Sequence, residues 1–582
     1  MTEGTTYTTT FNYQPLETKR HIRLLQVIHQ EDAGGPESYT YKIVHKELPI
    51  KEHSLDFEAI SYTWGHPARV GDLKLSDSEG GRIGLTKNLT EALPYLSQQS
   101  KTSLLWIDQL CVNQSDSAEK SVQIGLMSEI YKKATRVIVW LGPGDESSRE
   151  MFDKMETPDR YTPGIRSTFG QPATDHIYAP AIREFWQRPW FTRGWIVQEI
   201  LLSKNAVILA GDVQLNLQDL ADLCAIPSSH AIGDAPQSWF SYNILMNLLM
   251  YPFTDPQPLR FLRTMAQAAS EFATTEVCDS LYAFVGMIKA AEFTPDYSLS
   301  TRENFTRFAA TLPEKFGSLD MLSMWSANLD ELLPNTHEEL KGFPSWVPSW
   351  SQIPLSAPFR LATGGVRSFR DTVAWNAAKG RKHVHNQSFS AAETARLQVR
   401  GRIIDHVEAI SSARFARYWD VDDEYLDILT NQIRQDIPDL ESWTRKDMIS
   451  FLNIASCNGN LPQETTEQLL GIEPQALSEL RNVMGYNESL GCCLSMGRGR
   501  RFMKTEAGCI GLAPFIGTKA RTGGITGSVV VILHGCIVPI MLELVDEGQS
   551  EYKVLGDCYI EGIMHGEAVT WAEEDTETFV LV

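Results

Sequence analysis

Ser103-Leu-Leu-Trp-Ile-Asp108 and Arg136-Val-Ile-Val-Trp-Leu141 are two short apolar runs with a helical pattern between them. Together they decide the fold of the first third of the chain. An unbroken apolar run that closes on an acid or a glycine is the mark of a strand buried on both faces, as in a parallel sheet. Between the runs, Val122, Leu126, Ile130 and Ala134 recur at every fourth position, which gives a helix one apolar face. Ser115 or Ser117 is expected to cap that helix by accepting from the free amides of its first turn. Gly142-Pro143-Gly144 stops the second run. Strand, helix and strand within about 40 residues make a βαβ unit with a right-handed crossover.

Working outward, Ile22-Arg-Leu-Leu-Gln-Val-Ile28 and Tyr39-Thr-Tyr-Lys-Ile-Val44 read as strands separated by Gly34-Gly35-Pro36. Phe57-Glu-Ala-Ile-Ser-Tyr-Thr63 is a third strand that runs into Trp64-Gly65-His66-Pro67. A helix follows over Leu89 to Gln98. Downstream, residues 144 to 180 show no lasting period and read as an insertion, and Ala206-Val-Ile-Leu209 is a strand ending at Gly211-Asp212. The expected organisation is a polar tail (1–20), an α/β domain (21–212, core 55–212), a helical region (213–345), a mixed and mostly helical region (346–484) and a β-rich lobe (485–582). The helical regions rest on patterns at 244–251, 259–272 and 279–288 and on a stretch at 415–485 with an acidic segment at 420–427. The lobe rests on recurring runs at Val529 to Leu533, Val538 to Leu544 and Tyr552 to Leu555.

Composition sets outer bounds. With 582 residues, 43% hydrophobic and 21% charged, the chain has the profile of a packed protein of more than one domain. A formal net charge of -21 argues against phosphate-backbone binding, so no nucleic-acid partner is expected. The short basic run Arg498 to Lys504 reads as a solvated strand edge. Nine cysteines, odd in number and without a Cys-x-x-Cys pair, favour reduced thiols and a cytoplasmic setting. The Thr-rich start lacks the basic and apolar regions of a signal peptide. Gly527 to Leu542 is broken by His534-Gly535 and Pro539, so it reads as two strands around a turn, and no membrane anchor is expected. His383 and His385 read as a solvated loop and not a metal site.

Nucleotide-binding glycine loops, the Gly-x-Ser-x-Gly elbow and His-Glu-x-x-His are all absent from the sequence. Three dense polar and aromatic segments remain. Ile60-Ser-Tyr-Thr-Trp-Gly65 and Leu105-Trp-Ile-Asp-Gln-Leu-Cys-Val-Asn-Gln114 each carry a strand end, the place where open parallel sheets bind ligands. Arg188-Pro-Trp-Phe-Thr-Arg-Gly-Trp-Ile-Val-Gln-Glu199 reads as an amphipathic helix with an acid at its end. Each singled-out residue has a plainer reading as well. Trp190 and Trp195 can be core anchors, Asp108 a turn cap, and Arg193 with Glu199 an ion pair that holds the helix. Ser61 and Tyr62 can serve loop hydrogen bonds, Asn113 and Gln114 a turn, and Cys111 a small buried apolar position.

These three segments closely resemble the three blocks of the fungal heterokaryon incompatibility (HET) domain, with Gln123, Met127, Tyr131 and Ala134 part of the second. Asp279-Ser-Leu-Tyr-Ala-Phe-Val-Gly286, Pro295-Asp-Tyr297 and Pro344-Ser-Trp-Val-Pro-Ser-Trp350 also resemble longer members of the family, as does the stretch from Thr505 to Glu567. Ser528 departs from the usual acid, at what reads as a surface turn. The resemblance implies an effector of regulated cell death in a fungus. It also implies a TIR-like, flavodoxin-like parallel sheet flanked by helices. By that comparison the Trp195 to Glu199 spacing is similar to that of TIR enzymes that cleave NAD. Glu199 is then the candidate catalytic carboxylate, with Ser61, Tyr62, Trp64, Gly65, Asp108, Asn113, Arg193 and Trp195 lining the substrate site. NAD is the candidate substrate, and no metal or added cofactor is required. The alternative is a non-enzymatic signalling module that self-associates through this domain or recruits an unknown protein partner. A nucleotide or base-modifying hydrolase using the same cleft is a third reading.

Overall fold

A computed structural model describes residues 10–30, 39–50, 55–76, 81–146, 149, 184–185, 187–216, 272–288, 292–324, 342–348, 350, 376–384, 395–412, 432–433, 435–437, 499–514 and 527–582. Among them no helix is long and apolar enough to cross a membrane. The chain divides into two compact units, Met1–Pro256 with Gln267–Leu299, and Gln257–Ala266 with Ser300–Val582. The patterns at 244–251 and 420–427 lie outside the described residues, as does almost all of the insertion expected at 144–180.

In the first unit the elements run β1 (His21–His29), β2 (Tyr39–Glu47), β3 (Glu58–Tyr62), β4 (Arg69–Lys74), β5 (Arg82–Thr86), α1 (Lys87–Gln99), β6 (Leu104–Trp106), α2 (Asp108–Cys111) and α3 (Ser117–Lys133). They continue with β7 (Arg136–Trp140), α4 (Ile196–Leu201), β8 (Ala206–Ala210), β9 (Val213–Asn216) and α5 (Asp279–Val285). One sheet has the order β2-β1-β6-β3-β7-β8-β9. The four central strands β6, β3, β7 and β8 are parallel, and antiparallel strands cover both sides. β4 and β5 pair apart as a hairpin. Every residue of β3, β7 and β8 is buried, which is why, apart from Glu58, Ser61 and Arg136, they are apolar or aromatic without alternation.

The strand β3 begins with an acid that has no access to water. Glu58 is buried opposite Arg136, its register partner at the start of β7, and the Arg136 Nε donates to it. Ser100 Oγ (2.6 Å), Lys101 N (2.9 Å) and Thr102 N (3.2 Å) donate to the other carboxylate oxygen. Burial pushes the Glu58 carboxyl up, but the hydrogen bonds from Ser100 and Arg136 outweigh it and hold the group below the ordinary glutamate value.

Two local expectations change. The cap of α3 is Asp116, whose side chain accepts from Ala118 N and Glu119 N at 3.0 Å each. Ser117 is already the first helical residue, and Ser115 Oγ donates to Asn113 Oδ1 at 2.7 Å. The run from Trp190 to Glu199 is not one helix. A 3-10 turn over Pro189–Thr192 ends at an extended Arg193, and α4 starts only at Ile196. The break follows from pairing: Gly194 N donates to Ala273 O (3.0 Å) and Ala273 N to Thr192 O (2.6 Å).

The second unit holds α6 (Thr301–Phe316), closed at its start by a Ser300–Glu303 capping box and at its end by Gly317 in the left-handed conformation. Its strands are β10 (Leu397–Ile410), β11 (Arg501–Thr505), β12 (Ile510–Ala513), β13 (Val529–Leu533), β14 (Ile540–Asp546), β15 (Glu551–Asp557), β16 (Tyr559–Ile560) and β17 (Glu577–Leu581). β10 pairs with β13, β13 with β14, β14 with β15, β15 with β17, and β17 again with β10. Five strands therefore close a small barrel, and no ring edge is left open. β11, β12 and β16 extend from β10 as a side sheet. Val407, Val530, Ile532, Met541 and Leu555 pack in one buried cluster with Met503 of β11. β10, the strand that closes the ring, lies within residues 346–484 and not in the terminal lobe.

Within the basic run Arg498 to Lys504, whose first residue lies outside the described residues, Arg500 to Lys504 are not a solvated edge. β11 lies between β10 and β12, and Arg500 is fully buried with Nη2 2.5 Å from Asp557 Oδ1 and Nη1 donating to Asp557 O at 2.7 Å. His383 is also buried, its backbone N donating to Gly317 O at 3.0 Å, while His385 lies outside the described residues. Ser528 is buried too, its carbonyl accepting from Val407 N at 2.8 Å.

Candidate active site at the carboxyl ends of the parallel strands

The chain leaves β3 toward β6 on one side and leaves β7 toward β8 on the other, so the direction of winding reverses between β3 and β7. A crevice forms outside the carboxyl ends of the strands at such a point. The end of β3 carries Ser61 and Tyr62 and leads into Trp64, and β6 leads through Ile107 into Asp108.

Glu199 reaches this end of the sheet from α4. Ser61 Oγ donates to Glu199 Oε2, and Trp190 Nε1 donates to Ser61 Oγ at 2.8 Å, so the hydroxyl is oriented from both sides. Arg193 Nη1 stands 3.5 Å from the same Glu199 oxygen, and this nitrogen is buried without a hydrogen bond among the described residues. The Glu199 residue is only 1% exposed. Burial is the main cause that lifts its carboxyl above the ordinary value; the Arg193 charge and the Ser61 hydrogen bond oppose it, and the nearby Asp108 charge adds to it.

Asp108 is the second carboxylate of the cluster. Trp64 Nε1 donates to its Oδ2 at 2.8 Å and Gln109 N to its Oδ1 at 2.7 Å. Its carboxyl is also lifted by burial, against the pull of Arg193 and Trp64. Burial pushes the Arg193 guanidinium down, and the charges of Glu199 and Asp108 more than restore it. One cation thus serves two acids, the buried Glu199 and the part-buried Asp108. Tyr62 is buried with no well-formed hydrogen bond at its hydroxyl, which burial and then the Asp108 charge keep firmly protonated. Tyr131 Oη donates to Ile60 O at 3.0 Å and locks α3 under the end of β3.

Ser61, Tyr62, Trp64, Asp108, Arg193 and Glu199 are therefore gathered in one place. Gly65 follows Trp64 as an exposed residue with a φ of 68°, where a side chain would strain the backbone of the turn. Asn113 is not in the cluster: its Oδ1 accepts from Ser115 N (3.3 Å) and shapes the entry to α3. Trp195 points elsewhere as well, its Nε1 3.3 Å from Asp279 Oδ2. Cys111 is fully buried, and burial pushes its thiol up to about 12, which leaves it an inert apolar filler. Trp190, Tyr131 and Asp279 do work at or beside the site that their sequence patterns gave no role. Their signal was membership in the same dense blocks and in the Asp279 to Gly286 stretch. No group of three or more His, Cys, Asp or Glu that would hold a metal occurs among the described residues.

An α/β unit with two clustered carboxylates at the carboxyl ends of its parallel strands, followed in sequence by a closed barrel, is the class that fold and site define. Residues 57–199 match the family model described as heterokaryon incompatibility protein (HET), and residues 473–582 match the Het-6 beta-barrel domain. The chain is similar to heterokaryon incompatibility protein 6, OR allele, of Neurospora crassa, 23% identical over 90% of this chain and 91% of the relative. No solved structure matches the chain. The two domain matches and the full-length relative together support a heterokaryon incompatibility protein.

Proposed function

We propose that this chain is a cell-death effector of heterokaryon incompatibility that acts by cleaving NAD at a TIR-like cleft. The observation that carries the reading is Glu199, a buried carboxylate at the winding reversal of the sheet, oriented by Ser61 and Arg193 and lifted toward protonation. Departure of nicotinamide breaks the C1′–N bond and leaves an oxocarbenium-like ribosyl cation, which water then captures to give ADP-ribose and a proton. A fixed carboxylate stabilises that cation and holds the ribose hydroxyls. Arg193 offers the diphosphate a nitrogen that has, among the described residues, no hydrogen bond beyond its 3.5 Å ion pair with Glu199, and Trp64 offers a ring face. The reading needs no cofactor or metal. It places the protein in the cytoplasm, self-associating through its HET domain and responding to a protein partner, with no role for nucleic acid or a membrane anchor.

One observation favours a second reading. Glu199 is 1% exposed and already paired, which suits a structural ion pair in a non-enzymatic signalling or self-assembly module. Incubation of the purified chain with NAD separates the two. Release of nicotinamide by the wild type and its loss in Glu199→Gln is the expected result. No release at any protein concentration, with cell death retained by Glu199→Gln, overturns the enzymatic reading.

A further inference from the structure

We infer that residues 272–288 and 292–299 form a clasp that fixes Arg193 and Glu199 in place, with Asp279 as its positioning residue, so that the working HET unit extends past Glu199 to Leu299. The matched HET region ends at residue 199, and nothing in it contains the clasp. The inference concerns the geometry of the site and holds whichever reaction or interaction the site serves.

The clasp grips the backbone first. Arg193 and Ala273 form a parallel bridge, with Ala273 N donating to Thr192 O (2.6 Å) and Gly194 N to Ala273 O (3.0 Å). This pairing sits where the helical turn of Pro189–Thr192 breaks off, and it holds Arg193 extended instead of letting the turn run into α4. The side-chain grip is centred on Asp279. Its Oδ2 accepts from Trp195 Nε1 at 3.3 Å, and its Oδ1 accepts from Tyr297 Oη at 2.6 Å. Tyr297 in turn is tied to α3, its N donating to Ser121 Oγ at 3.0 Å and its ring lying 4.0 Å from Lys120 Nζ. Lys120 also pairs with Glu276 at 2.6 Å.

Close packing leaves the clasp no slack. A Cβ on Gly286 would come within 2.7 Å of Ser128 Cβ on α3 and 2.9 Å of Gln198 Oε1 on α4, and one on Gly194 would meet Thr274 Cγ2 at 3.0 Å. The two residues before and after Arg193 are therefore held by the clasp, and α4, which carries Glu199, starts from Trp195. An acid buried between two neutral donors, with the nearest cation turned to Glu276, is poorly explained by charge pairing. Its geometry explains it: one carboxylate spans Trp195 and Tyr297.

The test is hydrogen exchange on the full chain, read by mass spectrometry over peptides covering 190–202 and, as reference, β3 and β7. Asp279→Ala should speed exchange at 193–199 about tenfold, the effect of losing hydrogen bonds to a charged acceptor, and leave β3 and β7 unchanged. Asp279→Asn should restore protection, since its carbonyl accepts from the indole and its amide donates to the Tyr297 oxygen. Tyr297→Phe removes one hydroxyl and should give a smaller rise in the same window, which keeps the test open if Asp279→Ala does not fold. Unchanged exchange at 193–199, an equal rise in β3 and β7, or no recovery in Asp279→Asn overturns the inference. Exchange is read without turnover, so the outcome does not depend on whether Glu199 cleaves NAD.

Discussion

Strand β3 has an Arg–Glu pair with a buried glutamate near each end, and the two pairs behave in opposite ways. At its amino end Glu58 and Arg136 are ringed by Ser100, Lys101 and Thr102, and the acid is held below its ordinary value. At its carboxyl end Glu199 has Ser61 and a 3.5 Å approach from Arg193, and the acid is held above it. Both acids are shut off from water, but the number of donors differs, and only Glu199 has a second acid, Asp108, beside it. A fully solvated-by-protein charge locks strands together, whereas an under-served one stores electrostatic work that a ligand can release.

The sharpest way to break this contrast is to remove each acid. Glu58→Ala strands the Arg136 charge and should cost about 3–5 kcal/mol in urea unfolding, the usual loss when one partner of a buried pair goes. If Glu58→Ala is no worse than a surface change, the amino-end pair is not structural. Glu199→Gln keeps the shape and should leave the unfolding midpoint nearly unchanged, while the proposed NAD cleavage should fall by about 10²–10³-fold, as when one transition-state contact is lost. A large stability loss without a change in turnover would reverse the assignment of the two ends.

Acid titration sharpens it further. Glu58, lowered on folding, contributes stability that is present above its ordinary value and is lost as pH falls through the lower folded value. Asp279 behaves oppositely: burial first, then Glu276, lifts it from 3.8 to about 6, against Tyr297, Lys120 and Trp195. It binds its proton more tightly when folded, so its contribution to stability is fully present at low pH and is lost as pH rises from about 4 to about 6. At about 1.4 kcal/mol per unit this amounts to roughly 3 kcal/mol, and Asp279→Asn should remove that slope in melts taken across the window. A slope that survives in Asp279→Asn assigns it to another group. The smallest effect is at the α3 cap, where Asp116→Ala should cost about 1 kcal/mol in the same melts and leave turnover unchanged.

The parallel core was legible because burial on both faces leaves a signature that composition cannot hide: Leu104 to Ile107 and Val137 to Leu141 are apolar throughout. The break at Arg193 was not legible, because its cause, Ala273, is remote in sequence and only the folded chain brings the two together. The site shows the same limit. That Ser61 and Glu199 belong to one place followed from the resemblance of their blocks, but the hydroxyl that orients Glu199 lies 138 residues upstream of it. β10 carries a signal in its sequence: Leu397, Val399 and Val407 are buried at alternating positions. Charges between them and a register shift near Ile403 disguise a strand whose inner face is apolar.

Closure of the barrel through β10 also sets an order in time. β10 must wait for β17, roughly 170 residues further on, before its second ring edge is covered. At roughly 5–20 residues per second of synthesis that is about ten to thirty seconds in which a long strand of a high-contact-order ring stands exposed on the growing chain. During that interval the second unit depends on whatever shields β10, and a cell that stalls translation between the two strands would hold a nascent chain with an open, pairing-competent edge.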